Sequence, residues 1–163
     1  MSDQILTIKN KKQEEFLRKS TEAVLDISDP KIAELIKRMK EILIKRQGSG
    51  LAANQIGESK RIFIAQFEGK IYAFINPQIV KTSKKNVLME EGCLSVPGIV
   101  GLVNRSQKIT VQAFNELGKP IKLKAKDILA RICQHEIDHL FGVLFIDRST
   151  KLFHVPTNEK TAD

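Results

Sequence analysis

The segment His135-Glu136-Ile137-Asp138-His139 constrains this chain more than any other feature. Four residues make just over one helical turn, so on a helix the two histidines project from one face and can grip a single metal ion. Glu136, next to the first histidine, can then set its carboxylate beside the water that such an ion activates. The chain has three histidines, and only His154 lies outside this motif. Apolar residues at Ile128, Leu129, Ile132, Cys133 and Ile137 extend the helical period, which predicts a helix over 126–140 ended by Gly142. The bland alternative is a pair of hydrogen-bonded histidines with no ion.

Two histidines leave a catalytic metal one protein ligand short. Asp138, Glu91, Cys93, Cys133 and His154 are the candidates. Cys133 lies two residues before His135 and points roughly 200° round the helix, so it reads as a small buried hydrophobe. His154 sits in a polar stretch. Cys93, beside Gly92 at the end of a β-like run, can enter the metal face from another element, but spacing alone leaves the choice open.

The remaining chain is punctuated clearly. Residues 1–28 form a loosely patterned lead-in, with a short amphipathic stretch around Phe16, Leu17, Val24 and Leu25. Asp29 before Pro30 signals a helix start. Ile32, Leu35, Ile36, Met39, Ile42 and Leu43 give one apolar stripe, with Gly48 as the stop. Hairpin patterns follow over 61–66 with 70–75, and over 108–114 with 119–123. Asn76-Pro77 reads as a break, 78–82 and 86–89 as further strand, and 98–102 as a glycine-bearing loop. Few helices and several antiparallel strands predict a compact α+β domain around the motif helix, spanning 1–148. Residues 149–163 read as a short, polar, frayed tail.

Composition narrows the setting. The 163 residues contain 27 basic against 19 acidic residues, a formal charge of +8. The lysines are dispersed and there is no tryptophan, so sequence-specific nucleic-acid reading is not expected. No apolar run is long enough to span a bilayer, and 1–22 is too polar for a signal peptide, which predicts a cytoplasmic protein. Its two cysteines then read as core, ligand or nucleophile and not as a disulfide.

Three segments, Gly48-Ser49-Gly50-Leu51-Ala52-Ala53-Asn54-Gln55, Glu91-Gly92-Cys93-Leu94-Ser95 and Gln134-His135-Glu136-Ile137-Asp138-His139-Leu140, together resemble the peptide deformylase family in order and spacing. The likeness runs from about Ile5 to Arg148. It implies Cys93, His135 and His139 as metal ligands and Glu136 as the catalytic carboxylate. It further implies that Gln55 and the Leu94 N–H stabilise an oxyanion. By the same resemblance the metal is Fe2+, for which Zn2+ or Ni2+ substitutes. The substrate is the N-formylmethionyl end of a nascent polypeptide, met through transient ribosome contact.

Gly48, Gly50 and Leu51 are expected to let a peptide approach the backbone, with Ile128 and Ile132 walling a methionine pocket. Glu91 and Arg105 read either as a buried pair that fixes the Cys93 loop or as an ordinary surface pair, and Arg131 either as pocket rim or as a solvent pair. A monomer is expected. Asn54, Ser49 and Phe141 depart from the family's commonest residues, and 150–163 does not resemble the basic ribosome-contacting helix of some members. A zinc endopeptidase and a noncatalytic ribosome- or RNA-binding protein are the rival readings. Cys93 and the Gln55 segment disfavour the first, and intact Glu136 and Gln55 the second.

Overall fold

The structure, a computed structural model, describes residues 4–156. The chain runs through α1 (Lys11–Leu17), α2 (Pro30–Arg46), β1 (Gly50–Ala52) and a 3-10 turn (Ala53–Ile56). Strands β2 (Ile62–Phe67), β3 (Lys70–Thr82), β4 (Asn86–Cys93), β5 (Val96–Ser106), β6 (Lys108–Phe114) and β7 (Pro120–Lys126) follow. Helices α3 (Asp127–Leu140) and α4 (Phe145–Arg148) and strand β8 (Ser149–His154) close the chain. The strands form a five-stranded sheet, β1-β2-β3-β6-β7, and a three-stranded sheet, β4-β5-β8. All strand pairings are antiparallel, giving the α+β class.

The α2 helix forms for the reasons its sequence supplies. The Asp29 carboxylate accepts from the Lys31 N–H, and Pro30 occupies the first turn, where a missing N–H costs nothing. Its stripe from Ile32 to Leu43 is buried against Leu51, Ile62, Ile64, Ala73 and Ile75 on one face of the larger sheet. The helix ends one residue earlier than expected: Gln47, not Gly48, adopts the left-handed conformation, with φ 52°. On the opposite face α3 packs Leu129, Ala130, Cys133, Ile137 and Leu140 against Phe63, Phe74 and Val111. Each fully buried aliphatic side chain there contributes about 1.5–3 kcal/mol. The motif helix is therefore central, between the larger sheet and the β4–β5 ribbon.

Three local expectations are corrected. Asn76-Pro77 does not break its strand. Asn76 takes φ 50°, and the register shifts between Ile75 and Gln78, forming a bulge. The Asn76 side chain holds that bulge by accepting from Val24 N–H and donating to Val24 C=O, both at 2.8 Å. Residues 98–102 are strand rather than loop, because β5 is paired on both sides, by β4 and by β8. The first residues of the expected frayed tail are β8 itself, an edge strand paired antiparallel with β5. The rest of that tail, 157–163, lies outside the described residues. Among the described residues no helix is long and apolar enough to cross a membrane.

Candidate metal centre

Cys93 ends β4, where the register shifts between Gly92 and Cys93, while His135 and His139 lie one turn apart on α3. One donor atom from each falls within 4.8 Å of the other two. Cys93 Sγ is 3.2 Å from His139 Nε2. Of the candidates for a third donor, Cys93 alone joins the two histidines among the described residues. Cys133 is fully buried in the α3 core, and burial, with the Glu136 charge adding to it, pushes its thiol up to about 12. Asp138 instead accepts from Arg105 and Arg148, and His154 stands exposed on β8.

Behind the donors is a buried ionic cluster. Glu91 accepts from Arg105 Nε at 2.7 Å and from Arg131 Nη1 at 2.7 Å. His135 Nδ1 lies 2.8 Å from its other oxygen. With Glu91 ionised, His135 Nδ1–H donates and the Nε2 lone pair remains for a metal. Burial alone would raise the Glu91 pKa, but its bonds to Arg105 and His135 outweigh that and hold it well below the usual carboxylate range. Burial likewise opposes charge on the Cys93 thiol, yet the neighbouring imidazoles favour the thiolate and lower its pKa overall. Arg131, read from sequence as rim or solvent pair, is in fact buried in this cluster.

Glu136 is almost fully buried, and its Oε2 has no hydrogen-bond partner. Burial raises its pKa to about 7; the histidine charges pull it down, and Cys93 and Glu91 push it up. A carboxyl poised there can both take and return a proton near neutrality. Gln55 is held from two sides: its Oε1 accepts from the Ala52 N–H at 2.9 Å, and its Nε2 donates to Ser95 Oγ at 3.1 Å. That same Nε2 lies 3.5 Å from Cys93 Sγ. The donor set of a thiolate and two imidazoles suits iron, zinc or nickel, and Glu136 lines the same cleft as Cys93 and His135.

A cleft of about 640 Å³ opens over these groups. Gly48, Gly50, Glu91, Leu94 and Ile132 line it, with Gln55, Cys93, His135 and Glu136. Ile128 does not. It lies one turn before Ile132, is 50% exposed, and borders a separate small depression beyond Arg131 with Val87 and Met89. Leu51 turns its side chain fully into the core beneath α2, leaving its backbone on the edge strand β1. Gly50 has a role the sequence did not disclose: a Cβ there would stand 2.5 Å from Glu136 Oε1. Sequence reasoning also missed Asn54, whose Nδ2 donates to the His139 carbonyl at 2.6 Å. Its departure from the family's usual residue was the available signal.

An HExxH helix whose third donor is a sulfur carried on a strand of a separate ribbon defines a metal-dependent hydrolase. The family model of polypeptide deformylase matches residues 3–154. A peptide deformylase of Halothermothrix orenii is 46% identical over 138 residues, covering 83% of this chain and 88% of that protein. The crystal structure of peptide deformylase from Thermotoga maritima superposes with a TM-score of 0.84 at 36% identity, covering 91% of this chain and 97% of that one. A Met-Ala-Ser-bound class I type b peptide deformylase from Acinetobacter baumannii gives 0.83 at 29% identity, covering 89% and 97%. The chain belongs to the polypeptide deformylase family.

Proposed function

We propose that this chain hydrolyses the N-formyl group from the initiator methionine of nascent polypeptides, releasing formate. The observation that carries this reading is the Cys93–His135–His139 cluster beside Glu136 and Gln55 in one cleft. An ion held by Cys93, His135 and His139 would supply Lewis acidity for the formyl carbonyl and for water. Glu136 accepts the proton as water adds to the formyl carbon, then delivers it to the amine nitrogen as the C–N bond breaks. The Gln55 side-chain amide and the Leu94 N–H meet the negative charge that develops on the formyl oxygen. Fixing Gln55 through Ala52 and Ser95 beforehand means little reorganisation accompanies that charge.

Backbone along Gly48 to Leu51 and along 91–96 receives the extended peptide, and Ile132 supplies an apolar wall for the methionine side chain. The related Acinetobacter baumannii deformylase, solved with Met-Ala-Ser bound, supports a short peptide as the ligand class. The physiological ion is Fe2+, with Zn2+ or Ni2+ as substitutes. The enzyme works as a cytoplasmic monomer in transient contact with the ribosome. Formate release from formyl-Met-Ala-Ser under anaerobic conditions tests the assignment. The ferrous protein should turn over, and Glu136→Gln should lose at least ~100-fold while keeping its metal. Internal cleavage of unformylated peptides without formate release would show an endopeptidase instead.

A further inference from the structure

The larger sheet is covered unequally. On one face α3 packs along β1, β2, β6 and β7. On the other, α2 packs on β1 and β2, and the core beneath it reaches β3 only as far as Ile75. Beyond that point no element among the described residues packs on this face of the β3–β6–β7 half. Alternation sends Ile79, Ile109, Val111, Leu123 and Ala125 toward α3, and Lys81, Lys108, Thr110, Lys124 and Lys126 outward. In register, Lys81, Thr110 and Lys124 form one row across the three strands, and Lys108 stands directly opposite Lys126.

No carboxylate occurs in any of these three strands. None of Lys81, Lys108, Lys124 and Lys126, nor Lys122 on the same face, has an ion-pair partner among the described residues. Like charges set directly opposite destabilise a strand pair, so this arrangement opposes folding. Protection of a sheet edge accounts for lysines on β7, which is an edge strand, but not for Lys81 and Lys108 on interior strands. A depression of about 410 Å³ lies among these residues, with Thr82 and Ser83 in its lining. Farther along the face, Gln78, Gln112 and the half-exposed Phe114 surround a second depression.

We infer that this face docks the phosphodiester backbone of RNA without reading its sequence. Unpaired lysines supply the charge, the exposed Gln78 and Gln112 amides suit phosphate and ribose, and Phe114 offers a surface on which a base can stack. A membrane surface fits less well, because the face carries no amphipathic helix with an apolar side to bury. None of the four lysines lines the catalytic cleft, so RNA and peptide can be held together. The inference rests on the nascent-chain reading, since such a substrate emerges from an RNA-rich particle.

Anisotropy of a labelled single-stranded RNA oligomer, titrated with the full chain between 50 and 200 mM salt, tests it. The wild type should bind, with affinity falling steeply as salt rises. Lys81→Gln/Lys108→Gln/Lys124→Gln should lose at least ~10-fold at 100 mM salt and flatten the log–log salt slope by about 2. Lys11→Gln/Lys12→Gln/Lys19→Gln, with the same change in net charge, should keep the wild-type slope. Equal losses in both triple variants, no wild-type binding at 50 mM salt, or preferential capture by phosphatidylglycerol-containing vesicles would each overturn the inference. Formate release is measured on the same samples. Both variants should keep it, and its absence from the wild type would refute the deformylation reading independently of the RNA result.

Discussion

Replacing Gly50 with alanine should disable the enzyme through a single methyl group. Gly50 does not occupy a left-handed conformation, so alanine imposes no backbone strain and the effect is purely steric. The added Cβ would sit 2.5 Å from Glu136 Oε1, 2.8 Å from Cγ and 2.9 Å from Cδ. Moving the oxygen out to the 3.4 Å of ordinary contact displaces the carboxylate by about 0.9 Å. Glu136 is 4% exposed and lines the cleft, so a displaced carboxylate moves within the site itself. A misplacement of that size costs ~100-fold in rate, about 2.7 kcal/mol of barrier, and overpacking should cost ~1–3 kcal/mol of stability. Steady-state formate release should show the loss in kcat, with metal content unchanged. Gly92→Ala, whose Cβ meets only Val100 Cγ1 at 3.6 Å, adds the same methyl to the peptide-binding segment without touching Glu136, and should change KM while leaving kcat near wild type. A Gly50→Ala enzyme within threefold of wild-type kcat would refute the reasoning.

Other expectations are separable by assay. Cys93→Ser should lose both metal and turnover, whereas Cys133→Ser should keep its metal and lose ~1–3 kcal/mol of stability; elemental analysis and urea unfolding on both decide this, and the reverse pattern would break the ligand set. Glu91→Gln should destabilise the fold by about 3–5 kcal/mol, since Arg105 and Arg131 are left buried without their shared carboxylate. The Glu91 pKa is depressed from 4.5, so its contribution is fully present above that value and lost as pH falls below it. The stability gap between chelator-treated wild type and variant should therefore be flat above pH 5 and narrow in more acid solution; a gap that widens on acidification would contradict it. Ferrous enzyme prepared without oxygen should outperform its zinc form and decay in air, because Cys93 and iron are both oxidisable; equal, air-stable rates would sink the iron assignment.

The elements legible in the sequence were those with strong local signals. The α2 stripe and its Asp29-Pro30 start, the motif helix, and the hairpins flanking Gly69 and Gly118 all follow from nearest-neighbour chemistry. Elements defined by distant partners were not. β8 has no apolar alternation of its own and is strand because β5 has an edge to fill. Asn76-Pro77 looks like a terminator until Val24, 52 residues away, satisfies it as a bulge. The two histidines announced themselves by spacing, whereas the place of Cys93 beside Gly92 left it one candidate among several, and only the resemblance to the family singled it out. Ile128 failed because helical phase alone does not show where a cleft stops. Arg131 was ambiguous for the same reason: only the approach of Glu91 from β4 separates a buried ionic partner from a surface one.

The sulfur and the second imidazole are 46 residues apart in the chain and meet only once the β4–β5 ribbon has docked on α3. Closing a loop of that length must precede any reward from coordination, so the site cannot assemble from local structure. Metal uptake during refolding thus becomes a clock for the last tertiary event, lagging behind helix and hairpin formation, which local contacts make fast. A newly made copy therefore lacks its full three-donor set until the ribbon has docked, and only the finished scaffold can offer all three donors to one ion.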